Sequence, residues 1–242
     1  MASAPLEYLV RKRGSDVAPD VLPPIWQGDS RELSRAWIRL VAEDHTSGGA
    51  IYKGECRGTQ VTVQVSKRRK WSQAELDALR SETAVLHKMK HPNLALFFGI
   101  ATDEEVTMAS VGTSVWLVSE YVCGGPLRRW IYRNNQGEDA QAVNVIKLRM
   151  ANDLCLVMSW LHANNIIHGN ITSQNLLLDE SLHIKISDYG LSDFLQREVY
   201  TTQDSQWRRQ FQYTAPEILQ GGPKTKESDV FSCCLLYTSR RG

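Results

Sequence analysis

The hydrophobic pattern of the chain changes at a glycine-rich break, and this change limits the fold more than any other feature. Before Gly124-Gly125-Pro126, apolar residues fall in short strand-like stretches separated by turns. After it, the segment 143–163 carries an apolar stripe with helical spacing, followed by Asn164-Asn165 as a helix stop. Strands that come first and helices that come later favour an α+β fold in two parts.

Five strands and one helix are predicted before the break. The helix covers about 73–89, where apolar residues recur at three- and four-residue steps. A polar loop is expected between the last two strands, over 101–114. The strand-like stretches lie at 37–41, near Ile51, at 61–65, at 95–100 and at 115–121.

Composition and charge are those of an ordinary globular protein. The chain of 242 residues is 42% hydrophobic and 23% charged, and its formal net charge of +1 gives no electrostatic reason to expect a nucleic-acid partner. The five cysteines show no metal-ligand spacing and suit reduced thiols. No signal peptide or membrane-spanning run is evident, so we expect a cytoplasmic protein without a membrane segment in this stretch.

Four short motifs carry a specific signal. They are His91-Pro92-Asn93, Asp188-Tyr189-Gly190, Ala215-Pro216-Glu217 and Ser-Asp-Val-Phe-Ser at 228–232. They occur in the order and at the separations found in eukaryotic protein kinase domains, which the strand and helix order also resembles. The resemblance implies a two-lobed fold, with a five-stranded antiparallel N-lobe that holds one helix and a mainly helical C-lobe. Glu120-Tyr121-Val122 is similar to tyrosine kinases and tyrosine-kinase-like relatives.

The resemblance also gives domain bounds. We expect a flexible leader or linker at 1–33, an N-lobe at 34–123 and a partial C-lobe at 124–233. The C-lobe is expected to be truncated, because the family continues with further helices. Residues 234–242 are interpreted as a non-native tail, since Cys234 to Ser239 also reads as one translated frame of a common sequencing-library adapter.

The predicted catalytic loop lacks its base. Residues 168–175 align with the family's HRDLxxxN motif, so His168 is kept and Asn170 stands where the family has the catalytic aspartate. An amide cannot accept the proton of a substrate hydroxyl, and losing a general base costs on the order of 10²- to 10⁴-fold in rate. Gly169 replaces the arginine that would bind a phosphorylated activation loop. Asp229 matches the aspartate that holds the loop backbone.

The predicted phosphate-binding lysine is also missing. Residues 61–64 align with VAIK, so neutral Gln64 stands where the family has its ATP-binding lysine. Glu82 matches the glutamate that pairs with that lysine, and it has therefore lost its partner. Lys53 shares a strand face with Ile51, so it is a better candidate for a substitute cation than Lys67, which points from the opposite face of its strand.

A reduced nucleotide site is nevertheless expected. Asn175 and Asp188 match the family's two magnesium ligands, although the same residues also suit a loop-stabilising amide and a turn. The resemblance therefore implies weak binding of ATP and magnesium. The residues predicted to contact the nucleotide are Gly49, Ile51, Lys53, Thr62, Glu120, Val122 and Leu177.

Taken together, these substitutions favour a pseudokinase that acts as a signalling scaffold or allosteric regulator. Its expected partners are proteins, such as an active kinase or another signalling domain. One alternative is an active protein kinase that uses a displaced lysine. Another is a kinase-homology module of a larger receptor or signalling protein. The triplet at 168–170 resembles the pseudokinase domains of Janus kinases and the kinase-homology domains of receptor guanylate cyclases.

Overall fold

The computed structural model describes residues 33–43, 51–66, 71–107, 110–134, 140–191 and 211–238. The chain forms two compact units. The first unit holds the described residues up to 92 together with 96–121, and the second holds 93–95 together with the described residues from 122 onwards.

The first unit is an antiparallel sheet with one helix. Its five strands pair in the order β1-β2-β3-β5-β4, and the helix, α1, lies between β3 and β4 in the chain. This confirms the predicted N-lobe architecture. The elements are β1 Ile38–Glu43, β2 Ile51–Cys56, β3 Thr59–Val65, α1 Gln73–Lys88, β4 Phe97–Thr107 and β5 Ser110–Glu120.

Helix α1 begins at a capping box, close to the start that the apolar periodicity predicted. The hydroxyl of Ser72 accepts a hydrogen bond from the backbone of Glu75, and the Glu75 side chain accepts one from the backbone of Ser72. The apolar stripe then packs inward, with Leu76, Leu79 and Leu86 buried.

The prediction of a polar loop between the last two strands is wrong. β4 and β5 instead pair over their whole length, from Phe97 opposite Ser119 to Thr107 opposite Ser110, as one long hairpin. The segment 101–114 is polar but contains several β-branched residues, which favour extended backbone. The structure of this segment therefore follows from backbone hydrogen bonds between β4 and β5 and not from an apolar pattern.

The two faces of this sheet have different surroundings. Val61 and Val63 of β3 belong to a buried cluster that includes Trp116 and Val118 of β5. Because side chains alternate along a strand, Gln64 lies on the other face, with Ile51 directly opposite it on β2. Gln64, the residue of this sheet with a predicted catalytic role, is thus on the face away from this core cluster.

In its described residues, the second unit combines a small sheet with four α-helices. A three-stranded antiparallel sheet pairs in the order β6-β7-β8, and the longest helix, α3, packs against β8. These observations confirm the α+β class. The elements are β6 Gly125–Pro126, α2 Leu127–Asn134, α3 Ala140–Ala163, β7 Leu176–Leu178, β8 Ile184–Ile186, α4 Pro216–Leu219 and α5 Lys226–Thr238.

Helix α3 confirms the predicted stripe and its stop. Met150, Leu154, Val157 and Leu161 are all buried. Asn165 follows the helix with φ of 57°, and the N–H of the next residue donates to the carbonyl of Leu161 at 3.0 Å. This is a Schellman-type end, for which asparagine is one of the few suitable residues. In the described ranges, no helix has the length and apolarity needed to span a bilayer.

Candidate functional site

The first turn of α5 holds the backbone of the loop at 168–175. Asp229 is 1% exposed, and its two carboxylate oxygens accept hydrogen bonds from the N–H groups of His168, at 2.8 Å, and Gly169, at 2.7 Å. Nε2 of His162, in the last turn of α3, lies 3.0 Å from the same carboxylate. Hydrogen bonds to an ionised acceptor are among the strong ones. They confirm that Asp229 fixes the loop.

His168 lies inside the second unit in one defined tautomer. Its Nδ1 accepts the backbone N–H of Asn170 at 3.3 Å, so the ring proton is on Nε2, which donates to the carbonyl of Ser187 at 3.0 Å. Burial lowers the pKa of His168, and the carboxylates of Asp229 and Asp188 oppose this only in part. His168 is therefore a neutral structural link between the loop and the segment after β8.

Asn170 places a donor where the predicted chemistry needs a base. The residue is 7% exposed, and its side-chain Nδ2 is buried without a hydrogen-bond partner among the described residues. Its backbone carbonyl accepts a hydrogen bond from Nδ2 of Asn175 at 2.8 Å. Because a carboxamide has no basic atom near neutral pH, this side chain cannot take a proton from a hydroxyl group.

Asn175 and Asp188, the two predicted metal ligands, are brought together. The backbone N–H of Ser187 donates to the carbonyl of Asn175 at 3.0 Å, which places Asp188, the next residue, beside it. Asp188 has φ of 64°, so it is also a turn residue, as the structural alternative expects. The bond from Asn175 to Asn170 likewise stabilises the loop.

These two side chains fit a magnesium ion that has other ligands. A carboxylate and an amide oxygen are the hard donors that magnesium prefers, but two are too few to replace its hydration shell. The described residues contain no group of three or more His, Cys, Asp or Glu side chains suited to a metal. Phosphate oxygens and water would therefore have to supply the other positions.

In the first unit, the predicted lysine position and its glutamate differ in their exposure. Gln64 is 6% exposed and faces Ile51 of β2 and Leu117 of β5 across the sheet. Glu82 is exposed on α1, and its carboxylate forms no ion pair with a described residue. Among the residues that the structure describes, no cation takes the place of the missing lysine as the partner of this glutamate.

Lys53 lies on the predicted sheet face, but its ammonium is directed to one end of the sheet. It pairs with Thr62 across β2 and β3, so it shares a face with Gln64. Its Nζ lies 4.2 Å from the centroid of the Tyr121 ring, just after β5. A cation over an aromatic face is attracted by the ring electrons, and this contact holds the ammonium at that end.

Glu120 and Thr62 are joined at the end of β5. The carboxylate of Glu120 accepts the backbone N–H of Leu96 at 3.0 Å, so its side chain has a structural role. The Thr62 hydroxyl lies 3.4 Å from the Glu120 carbonyl, a long contact.

The remaining predicted nucleotide contacts are distributed over both units. Ile51 is buried at the start of β2 in the first unit. In the second unit, Val122 is buried and Leu177 is half-buried in β7. Gly49 lies outside the described residues.

Comparison with known protein families decides the identity. Residues 44–238 match the family model described as protein tyrosine and serine/threonine kinase. The chain belongs to this family. The predicted resemblance to protein kinases is confirmed, and members of the family use ATP and magnesium ions.

Curated relatives of this kinase domain include plant and amoebal kinases. It is 31% identical over 187 residues to dual specificity protein kinase shkD of Dictyostelium discoideum, a match that covers 77% of this chain and 23% of the relative. It is 25% identical over 248 residues to serine/threonine-protein kinase CTR1 of Arabidopsis thaliana, covering 96% of this chain and 29% of the relative. The kinase domain thus spans less than a third of either protein.

Three contacts in the kinase domain were not expected from the motifs. They are the bond from His162 to Asp229, the cation–π contact of Lys53 with Tyr121, and a hydrogen bond from the hydroxyl of Tyr189 to the carbonyl of Ala95 at 3.1 Å. Tyr189 belongs to one of the identified motifs, but the motif did not predict the contact of its hydroxyl. The other two depend on tertiary placement and left no spacing signal.

Proposed function

We propose that this kinase domain is a pseudokinase that binds a protein partner and regulates or scaffolds it. The observation that carries the proposal is Asn170, a buried amide at the position of the catalytic base, with Nδ2 unpaired among the described residues. Phosphoryl transfer depends mainly on positioned charges, so a neutral donor at this place opposes proton removal.

The first unit supports the same proposal. Gln64 supplies no positive charge at the lysine position, and Glu82 is exposed without an ion pair among the described residues. Lys53 is the candidate substitute, but its ammonium is engaged with the ring of Tyr121. An active kinase with a displaced lysine would first have to break this contact.

Nucleotide binding is proposed to be weak and metal-dependent. Asn175 and Asp188 supply two oxygen ligands, whereas Gln64 offers phosphate only a neutral hydrogen bond. We expect ATP with magnesium to raise the melting temperature slightly, and ATP with chelator to leave it unchanged. Replacing Asp188 with alanine should abolish the small shift.

The test restores the two missing groups. Gln64→Lys and Asn170→Asp are made singly and together, and phosphate transfer from ATP to a mixed peptide substrate is measured against Asp188→Ala. We expect wild type to equal this background and the double variant to exceed the sum of the single ones, because the two groups act in one transition state.

Matched controls introduce the same two side chains at exposed positions that have no predicted catalytic role. Gln60→Lys adds a cation on an exposed residue of β3, and Asn152→Asp adds a carboxylate on an exposed residue of α3. Neither should raise activity. Transfer by wild type that disappears in Asp188→Ala would reject the pseudokinase proposal and favour an active kinase, as the names of the relatives suggest.

The place of this domain in a larger protein is also a proposal. The relatives shkD and CTR1 are several times longer than the matched region. A role as the kinase-homology module of a signalling protein fits this length, and an active kinase or signalling domain is the expected partner.

A further inference from the structure

Helix α2 of the second unit, Leu127–Asn134, has one apolar and one cationic side. Its apolar residues share one side, and Leu127 among them is buried. At 3.6 residues per turn, the other side covers about 140° of the helix circumference. This other side, the arginine face, carries three positive charges and no negative one, since the helix contains no acidic residue. The residues of the arginine face are, in order around the helix, Arg128, Tyr132, Arg129 and Arg133.

The arginine face is open to solvent, and its charges are unpaired. Arg129 and Arg133 are exposed, Arg128 is half-buried, and Tyr132 is 71% exposed. In the part of the chain that the structure describes, no carboxylate forms an ion pair with any of the three guanidinium groups. Tyrosine and arginine are enriched in protein interfaces relative to the rest of the surface. The arginine face therefore combines the composition of a binding surface with unpaired positive charge.

The positions of these charges on the helix are unfavourable without an anion. Arg128 and Arg129 are in the first turn, where the positive end of the helix dipole disfavours cations. Arg129 and Arg133 are four residues apart, so they are neighbours on the helix surface and repel each other. Only Arg133, in the last turn, interacts favourably with the dipole. A carboxylate bound at the arginine face would relieve both effects.

The size of the arginine face favours a short acidic segment over larger polyanions. The eight residues of α2 extend about 12 Å, a length that roughly three or four residues of an extended chain also cover. Anionic membranes are recognised by clusters of about four to eight basic residues, and DNA-binding proteins make many phosphate contacts. Three arginines are fewer than either requires, and the formal net charge of +1 adds no general attraction to polyanions.

We propose that the arginine face binds an acidic segment of a protein partner, whose Asp or Glu side chains pair with Arg128, Arg129 and Arg133. Guanidinium groups bind carboxylates through two parallel hydrogen bonds, and the ring of Tyr132 packs against the segment beside them. The proposal rests on the proposed function, because it gives the chemistry of the protein that the pseudokinase binds. It requires neither nucleotide nor phosphate transfer.

The test uses two fluorescent peptides that differ only in charge. A peptide of glutamate and a peptide of glutamine, equal in length, are each titrated with the full chain, and binding is followed by fluorescence anisotropy. We expect the glutamate peptide to bind at low salt and the glutamine peptide not to bind. Because exposed charges are screened by salt, the dissociation constant of the glutamate peptide should rise about tenfold or more when the ionic strength is raised tenfold.

Three double variants separate the arginine face from net charge. Arg129→Glu with Arg133→Glu should weaken binding of the glutamate peptide at least about tenfold, without lowering the melting temperature, because an acidic residue in the first turn suits the helix dipole. Lys88→Glu with Lys90→Glu changes the net charge equally at exposed residues of the first unit and should have less than about a twofold effect. Arg129→Lys with Arg133→Lys keeps the charge and should lose only part of the binding, since lysine cannot bind a carboxylate bidentately.

Failure to bind the glutamate peptide, or equal weakening by the two glutamate variants, would overturn the proposal. Vesicles that contain phosphatidylserine are titrated in parallel, and binding to them without binding to the peptide would replace the protein segment by a membrane surface. The phosphate-transfer assay with Asp188→Ala keeps the two proposals distinguishable. Transfer that depends on Asp188 would reject the pseudokinase role even if the peptide binds, whereas absent transfer with no peptide binding would reject the arginine face alone.

Discussion

The side chains of His168 and Tyr189 are buried in the second unit, and each carries a polar group that forms a hydrogen bond there. His168 is fully buried and links Asn170 to Ser187 through its two ring nitrogens. Tyr189 is 3% exposed and donates its hydroxyl proton to the carbonyl of Ala95. Since buried polar groups are costly without partners, each residue stabilises the backbone that it contacts.

Replacing Tyr189 with phenylalanine tests the hydroxyl contact. The change leaves the buried Ala95 carbonyl without this donor, so we expect a loss of about 1–2 kcal/mol in the free energy of unfolding, measured in urea. Tyr132→Phe serves as the control, because Tyr132 is 71% exposed and should lose almost nothing. Equal effects of the two variants would contradict a structural role for the Tyr189 hydroxyl.

The lowered pKa of His168 predicts a loss of stability in acid. Below about pH 6.5, the ordinary value for histidine, the unfolded chain takes up a proton on this residue, whereas burial disfavours that proton in the folded state. The free energy of unfolding should therefore fall as the pH decreases through this range. The slope of the free energy of unfolding against pH reports how many more protons the unfolded chain binds than the folded one. His168→Gln should lower this number by up to about one.

His91 provides the comparison for this pH experiment. Burial also lowers the pKa of His91, but this residue is only half-buried, so His91→Gln should change the slope less. An identical slope in wild type and His168→Gln would show that His168 takes up its proton equally in both states.

At the scale of secondary-structure elements, the start of α5 positions the catalytic loop. Thr225 and Ser228 exchange hydrogen bonds between side chain and backbone, at 3.2 and 3.0 Å, which fixes where the helix begins. The next residue, Asp229, then reaches the N–H groups of His168 and Gly169. A helix terminus thereby determines the geometry of a loop some sixty residues earlier in the chain.

Asp229→Asn tests this connection. The amide keeps one oxygen but places an NH₂ group toward a donor that the carboxylate had accepted. Hydrogen bonds to charged groups are stronger than neutral ones, so we expect the free energy of unfolding to fall by about 2–4 kcal/mol. Asp77→Asn, on the exposed face of α1, should cost less than 0.5 kcal/mol, roughly the usual limit for surface changes. Similar costs for both variants would argue against Asp229 as the fixing residue.

Elements with a strong local signal were predictable, and those that depend on distant pairing were less so. The stripe and stop of α3 follow from spacing and from Asn165, whereas the long β4–β5 hairpin at 101–114 was missed because its polar sequence gives no alternation. The motif at 168–175 identified Asn170. No local pattern pointed to the contact of Lys53 with Tyr121, because it joins two strands far apart in the chain.

At the scale of the whole molecule, the predicted chemistry is divided between two units. Gln64 and Glu82 belong to the first, and Asn170, Asn175 and Asp188 to the second. Each unit carries one substitution at a position that the family uses for phosphate transfer. The strands and helices expected of a kinase domain are nevertheless present in both units.

The outer surface of α3 presents an apolar stripe that predicts self-association. Val145, Leu148 and Leu156 are 64%, 58% and 53% exposed, and their spacing places them on one helix face. Exposed Arg149 and Asn152 interrupt this face, but several large apolar side chains exposed together still mark interaction or aggregation sites. We expect the purified chain to associate with increasing concentration in sedimentation velocity experiments.

Charged substitutions on this stripe should weaken the association. Leu148→Lys with Leu156→Lys removes two large apolar side chains while keeping good helix formers, so the dissociation constant should rise at least about tenfold. The control, Val41→Lys with Val85→Lys, adds the same charge at residues 56% and 55% exposed on β1 and α1 of the first unit. If the control weakens association equally, net charge rather than the α3 stripe drives it, and if neither variant changes it, the contact lies elsewhere on the chain.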